Sequence, residues 1–183
     1  MSDRRVPATA TEIVALDTTG YEAAVPALGA LIVDAVASGA GVNFMDGVTI
    51  HEAAVWWAER RPQIADGTIT AFVAREPDGT IVGSTILIRS RNPNSPHRAE
   101  IGKVLVRSDA RRRGLGRALM EAAEDCARAE GRWLLILDTV AGGPADEMYR
   151  ALGWHVLGTM PNHAYRPDGT LADTTYFWKD LRG

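Results

Sequence analysis

Three consecutive arginines stand just before a glycine-rich helix start. Arg111, Arg112 and Arg113 lead into Gly114-Leu115-Gly116, between an apolar stretch that ends near Val106 and an amphipathic segment. A helix start carries unpaired backbone N–H groups and a partial positive charge, and glycine lets a bulky anion approach that backbone closely. Arginines add permanent charge and paired donors. These parts predict a diphosphate site, and the alternative is a solvated basic turn.

Two other nucleotide-binding motifs match this loop less well. A Walker loop needs lysine and then serine or threonine after its second glycine, and no lysine follows here. A dinucleotide fingerprint needs a third glycine, and that position is Leu119.

The loop resembles the acetyl-CoA motif of the GCN5-related N-acetyltransferases (GNAT), whose pattern is Gln/Arg-x-x-Gly-x-Gly/Ala. The matching residues are Arg111-x-x-Gly114-x-Gly116. The tabtoxin resistance protein branch is closer still in appearance, on three further stretches: His97-Arg-Ala-Glu100, Leu137-Asp-Thr-x-Ala-Gly142, and Pro167-Asp-Gly-x-Leu with Tyr176-Phe177. The resemblance implies direct acetyl transfer from acetyl-CoA to an amine in a ternary complex.

The resemblance also implies which residues hold acetyl-CoA. Pantetheine would pair with the strand before the loop like an added strand, and a backbone N–H of that strand would hold the oxyanion. The diphosphate would lie on the loop and the helix start. The expected cofactor-binding residues are Val104, Leu105, Val106, Arg111, Arg112, Arg113, Gly114, Leu115, Gly116, Arg117 and Tyr149.

Tyr149 is the expected general acid. It lies in Met148-Tyr149-Arg150-Ala151-Leu152-Gly153 and resembles the family's tyrosine near the CoA sulfur. A phenol has an unperturbed pKa of about 10 and a thiol one of about 8.5, so tyrosine keeps its proton at neutral pH and can protonate the departing thiolate. The alternative is a core tyrosine packed beside Leu152.

Two carboxylates, Glu100 and Asp138, are candidates for the acceptor site. Counting alternation along the strand places Glu100 on the same face as Gly102, Val104 and Val106, where a carboxylate is unusual unless it has a task or a partner. Asp138 is expected to end the neighbouring strand, so that both carboxylates face one pocket. Each could accept the amine proton or hold an ammonium group. The alternatives are a salt bridge of Glu100 with Arg98 or Lys103, and a turn or cap role for Asp138.

The pattern of apolar residues predicts an α/β (α+β mixed) fold. Its order is β-α-α-β-β-β-α-β-α-β-β, with about seven strands in a central, twisted, mostly antiparallel sheet and about four flanking helices. One parallel crossover surrounds the helix that begins at Gly114. Residues 1–8 are expected to be loose, and residues 9–183 to form one domain. The predicted strands are 10–16, 68–75, 80–89, 98–106, 133–138, 154–160 and 174–179, and the predicted helices are 21–36, 50–61, 114–130 and 144–152.

Composition limits the classes of partner. The 183 residues carry a formal net charge of -3, which favours neither nucleic acid nor an anionic membrane as a partner. Apolar runs are interrupted before the roughly 20 residues of a membrane span, and Met1–Arg5 begins no export signal. The single cysteine, Cys126, suits the cytoplasm, and the four histidines lack metal-ligand spacing, so no metal is expected.

The resulting functional hypothesis is an N-acetyltransferase that acts on the primary amine of a small molecule. An amino-acid-like antimetabolite or antibiotic is one candidate acceptor, which would make the protein a resistance enzyme. A protein N-terminal or lysine acetyltransferase and a non-catalytic acyl-CoA sensor remain as alternatives. Monomer and homodimer both stay open, and one of Trp56 and Trp57 is expected to pack in the core while the other could line a substrate pocket.

Overall fold

The computed structural model describes residues 10–182, so the segment expected to be loose, 1–8, lies outside the described residues. The described chain forms seven strands and five helices. The strands are β1 (Glu12–Ala15), β2 (Ile69–Arg75), β3 (Ile81–Arg89), β4 (Arg98–Val106), β5 (Leu134–Val140), β6 (His155–Tyr165) and β7 (Leu171–Asp180), and the helices are α1 (Thr18–Ala37), α2 (Ile50–Ala58), α3 (Arg61–Ala65), α4 (Leu115–Ala129) and α5 (Pro144–Ala151).

All seven strands belong to one sheet in the order β1-β2-β3-β4-β5-β7-β6. Only the neighbours β4 and β5 run parallel, and α4 is the crossover between them. The predicted fold class and the single parallel crossover are therefore confirmed. The number of helices differs, because the five-residue α3, with Pro62 in its first turn, follows α2 as a separate helix.

Helices cover both faces of the sheet. On one face α4 and α5 pack over Leu135 and Phe177, and Leu119 of α4 is fully buried there. On the other face α1 and α2 pack over the sheet, with Leu28 and Trp57 fully buried. Side chains alternate between the two faces along each strand, so a residue's place in the register tells which layer of helices it meets.

By length and composition α1 could cross a membrane. It has 20 residues, and an 18-residue window of it has a mean hydropathy of 1.4, although Pro26, Gly29 and Asp34 interrupt its apolar residues as expected. Half of this helix is buried inside the protein, where Leu28 and Ile32 have no exposed surface. A buried core helix satisfies the same test, so α1 is weak support for a membrane span.

A β-bulge interrupts β4. Ser84 of β3 lies opposite Leu105, but two residues further along β3 the partner is Gly102, so β4 contains one extra residue. Lys103, at the bulge, has a left-handed φ of 52°. The Ser84 Oγ donates to the Lys103 carbonyl at 3.2 Å, and the Thr85 Oγ1 donates to the Gly102 carbonyl at 3.2 Å. Two buried hydroxyls thus satisfy carbonyls of the bulge.

The bulge reverses the alternation of side chains along the second half of β4. Glu100 and Gly102 keep the α1–α2 face, whereas Val104 and Val106 turn toward the cluster around α4. The prediction that Glu100 shares a face with both valines is therefore wrong. A single inserted residue moves every following side chain to the opposite face, because the strand period is two.

The parallel ladder between β4 and β5 is short. Its pairs are Arg98 with Leu134, Ala99 with Leu135, and Glu100 with Ile136. Both strands continue beyond the last pair, β4 to Val106 and β5 to Val140. The two strands therefore separate and leave a gap in the middle of the sheet.

Asp138 lies inside β5, opposite Tyr176 of β7, so the prediction that it ends the strand is wrong. The turn or cap role considered for this residue does not fit a position within a strand. Asp138 still borders the gap, because it follows Ile136 of the last parallel pair by two residues.

Candidate active site

The loop between β4 and α4 exposes backbone donors. After β4 the chain makes one 3-10 turn, Ser108–Ala110, and Gly114 then adopts a left-handed φ of 80° as the N-cap of α4. Glycine has no side chain to cap the helix, so the N–H groups of Leu115, Gly116 and Arg117 have neither an intrahelical nor a side-chain partner in the described chain. These donors and the helix dipole suit a bound diphosphate.

The three arginines of the loop have different partners. Arg113 donates to the Glu76 carboxylate at 2.8 Å, which ties the loop to the chain just after β2. The Arg111 Nε donates to the Val106 carbonyl at 3.1 Å. Arg112 is exposed and forms no hydrogen bond or ion pair with residues 10–182, so its guanidinium can contact a phosphate without losing a protein partner.

Two further contacts hold the loop in place. Asp34 of α1 accepts hydrogen bonds from the Ser108 N–H at 2.8 Å and from the Ser108 hydroxyl at 2.6 Å, and it lies 3.7 Å from Arg111. At Gly116, a Cβ atom would lie 3.0 Å from the Met148 sulfur of α5. A larger residue at position 116 would therefore require the Met148 side chain to shift.

The strand residues expected to bind the cofactor border the gap. Val104 and Val106 are half-buried on the α4 face, and Leu105 is buried on the α1–α2 face. One edge of this part of β4 pairs with β3, and the other edge lacks a strand partner beyond Glu100. An extended ligand segment could hydrogen-bond to that edge, as the resemblance implies.

Tyr149 combines a buried ring with an unpartnered hydroxyl. The ring packs 5.8 Å from Phe177 and 6.3 Å from Trp154, centroid to centroid, on the α4 face. Among residues 10–182 the hydroxyl finds no hydrogen-bond partner, yet it is not sealed off from solvent. Burial, and then the negative charge of Asp138, raise the pKa of the Tyr149 hydroxyl, so it stays protonated at neutral pH. Both predicted roles, core packing and proton donor, are compatible with this geometry.

Glu100 and Asp138 share the α1–α2 face at the gap. Both are solvent-accessible, but the surrounding protein desolvates Glu100, and this desolvation, followed by repulsion from Asp138, raises the pKa of the Glu100 carboxyl. Arg98 and Lys103 lower that pKa only by attraction at a distance, so the hydrogen-bonded salt bridge considered for Glu100 is not formed. A carboxylate with a raised pKa is closer to the range of a useful base.

Lys103 is a site residue that sequence reasoning missed. The bulge turns it to the same face as Glu100, where its ammonium donates to the Val42 carbonyl at 3.2 Å and lies 4.6 Å from the Trp56 ring centroid. Burial, followed by the nearby Arg60, lowers the pKa of Lys103 to about 8. The sequence contains no signal for the bulge, so it offered this lysine only as a salt-bridge partner.

Trp56 and Trp57 differ in burial. Trp57 is fully buried against Tyr21, whose hydroxyl donates to the Trp57 carbonyl at 2.8 Å, so the prediction that one tryptophan packs in the core is confirmed. Trp56 is half-buried beside Phe44 and forms one wall above Lys103. Across the site, Tyr176 of β7 lies opposite Asp138 of β5. The Tyr176 hydroxyl lies 3.2 Å from the His163 Nε2.

Comparison with known proteins assigns the family. Residues 44–154 match the acetyltransferase (GNAT) family, and the chain therefore belongs to that family. Enzymes of this family use acetyl-CoA as co-substrate. Within residues 10–182, no group of three or more histidine, cysteine or acidic side chains is arranged to hold a metal ion.

Several solved structures have the same fold. An N-acetyltransferase from Staphylococcus aureus Mu50 is 21% identical, with a TM-score of 0.77 over 95% of this chain and 100% of that one. A ribosomal-protein-alanine N-acetyltransferase from Brucella melitensis is 26% identical, with a TM-score of 0.72 over 93% and 99%. A phosphinothricin acetyltransferase from Sinorhizobium meliloti, in complex with acetyl-CoA, is 20% identical, with a TM-score of 0.73 over 94% and 89%.

Proposed function

We propose that this acetyltransferase transfers an acetyl group from acetyl-CoA to the primary amine of a small molecule, by direct attack in a ternary complex. The observation that carries the proposal is the gap between β4 and β5. Glu100 and Asp138 border it on the α1–α2 face, and Tyr149 lies on the α4 face. Groups suited to an amine and to a departing thiolate therefore lie on opposite sides of one opening.

The donor side fits acetyl-CoA, which supplies the reactive thioester when bound. The unpaired N–H groups of Leu115, Gly116 and Arg117, together with Arg112, hold the diphosphate. The free edge of β4, at Val104 to Val106, holds the pantetheine arm and directs a backbone N–H at the oxyanion.

The acceptor side removes a proton from the amine. An amine enters as an ammonium ion and must lose a proton before it attacks. Asp138 attracts the cation, and Glu100, whose pKa is raised, accepts the proton directly or through water. Tyr149 keeps its own proton at neutral pH and donates it to the thiolate as the bond to sulfur breaks.

Two adjacent carboxylates favour a cationic acceptor that carries a further polar group, rather than a flat hydrophobic arylamine. An amino-acid-like antimetabolite or antibiotic belongs to this class, and its acetylation would confer resistance. The structural likeness to a phosphinothricin acetyltransferase supports this choice. The likeness to a ribosomal-protein-alanine N-acetyltransferase keeps a protein N-terminus as the second candidate acceptor.

An acetyl-CoA thiol-release screen tests the proposal. The panel contains amino acids, aminoglycosides, polyamines and peptides, and the expected result is turnover with a small amine. Turnover with peptides alone would indicate a protein acetyltransferase instead. Binding of acetyl-CoA without turnover on any amine would indicate an acyl-CoA sensor. Glu100→Gln keeps the size of the side chain and removes its charge. This variant should lower turnover while leaving acetyl-CoA binding nearly intact.

A further inference from the structure

Two cations share the indole ring of Trp56 at the edge of the acceptor site. The Arg60 guanidinium carbon lies 3.1 Å from the ring centroid, and the Lys103 ammonium lies 4.6 Å from it. Arg60 also donates to the Trp56 carbonyl, and Lys103 donates to the Val42 carbonyl. An ammonium has three donors, so these contacts leave donors of Lys103 unused.

Within residues 10–182, no carboxylate lies at ion-pair distance from either cation, although Glu59 attracts Arg60 from further away. The neighbouring Arg61 has an ion pair with Glu22 at 3.9 Å, but among residues 10–182 neither Arg60 nor Lys103 has one. Burial lowers the pKa of both groups, and for Lys103 the second cause is Arg60 itself. Two like charges held together in a partly buried place are unfavourable, and a bound anion would relieve both the desolvation and the repulsion.

The acidic side chains of the site lie apart from the two cations. Glu100 and Asp138 lie near enough to raise the pKa of Lys103, but they form no hydrogen bond with it. The site therefore has a negative part along β4 and β5 and a positive part on Trp56. A ligand that carries an amine and an oxyanion would match both parts at once.

We propose that Lys103 and Arg60, stacked on Trp56, form an anion subsite that binds a compact oxyanion of the acceptor, such as a carboxylate. This proposal rests on the proposed function, because it concerns the same acceptor. The oxyanion takes the unused donors of Lys103, and the amine lies between Glu100 and Asp138. The acceptor is then a zwitterion of amino-acid size, and the subsite selects it against neutral amines.

Acceptors with and without the carboxylate charge test the subsite. Thiol release is measured with L-amino acids, with the corresponding L-amino acid amides and with the decarboxylated amines. The expected kcat/KM is at least about 10-fold higher for the best amino acid than for its amide, because a hydrogen bond to a charged group is lost. Lys103→Met should lower kcat/KM for that amino acid by about 10- to 100-fold and reduce the acid-to-amide ratio to about one.

Two further variants control the result. Arg60→Met should lower the same ratio, and it carries the test if Lys103→Met does not fold. Arg61→Met removes the same charge from the adjacent residue, which faces Glu22, and should leave the ratio unchanged. Equal turnover of acids and amides by the natural protein, or an equal loss on both in Lys103→Met, overturns the subsite while the acetyltransferase proposal stands. A complete absence of turnover, even with simple amines, refutes the proposed function and the subsite with it.

Discussion

Replacing Gly114 with aspartate should weaken acetyl-CoA binding by charge repulsion. Gly114 has a φ of 80°, and a Cβ atom built there meets no atom within 4 Å, so space is available and the backbone strain is the cost. A side chain in the left-handed region costs about 1–2 kcal/mol, and asparagine and aspartate tolerate it best. Gly114→Asn is therefore the matched control, because it has the same shape and strain without the charge.

The size of the effect follows from Coulomb's law. A carboxylate about 5 Å from a phosphate, at an effective dielectric constant of about 60, costs ~1 kcal/mol per unit charge. A diphosphate with about two charges then loses ~2 kcal/mol, or about 30-fold in Kd. The flexible arginines of the loop can move toward the new carboxylate and reduce this value.

Titration calorimetry with acetyl-CoA measures the difference between the two variants. A thermal shift gives a second readout, because ligand binding raises the melting temperature by mass action. Equal acetyl-CoA affinity in folded Gly114→Asp and Gly114→Asn would refute the assignment of this loop to the diphosphate.

Three further predictions concern the gap and the bulge. Tyr149→Phe should lower kcat with little change in the KM for acetyl-CoA, because it removes the proton donor and keeps the ring; an unchanged kcat means that this tyrosine is structural or that chemistry is not rate-limiting. The pKa of Glu100 is raised and its carboxylate is the active form, so kcat/KM should rise with pH through that pKa, and Glu100→Gln should remove this rise. Asp138→Asn should lower kcat/KM while acetyl-CoA affinity stays nearly constant. Wild-type rates in both variants from pH 6 to 9 would contradict both roles. Ser84→Ala leaves the Lys103 carbonyl without its hydroxyl donor, which should lower the free energy of unfolding by about 1–2 kcal/mol and the melting temperature by roughly 2–8 °C. An unchanged melting temperature in a thermal melt would show that the hydroxyl does not stabilise the bulge.

The order of the elements could be predicted because it depends on local patterns. The helical spacing of α1, the capping residues Thr49 and Glu52 of α2, and the glycines after α4 and α5 are all visible in the sequence. The boundaries were less accurate. β6 runs to Tyr165, five residues beyond its predicted end, because it pairs with β7 across two irregularities. That pairing is a long-range property.

The candidate site was predictable only in part. The loop from Arg111 to Gly116 has a local signature, and its geometry suits a diphosphate, although the roles of its residues remain predictions. The bulge at Lys103 depends on hydroxyls contributed by β3, about 17 to 19 residues away along the chain. Strand alternation could not reveal the bulge, so the predicted face of Val104 was wrong and Lys103 was overlooked.

The short parallel ladder also has a mechanical meaning. Strands β1 to β4 form one half of the sheet and β5 to β7 the other. In the described part of the chain, three residue pairs join the halves, from Arg98 to Glu100. Every other strand boundary has at least four. The thinnest joint of the sheet thus lies beside Glu100, so a change in the width of the gap would disturb few sheet hydrogen bonds. The core around α4 contains Leu87 and Leu135, one from each half, so packing of that core holds the two halves together.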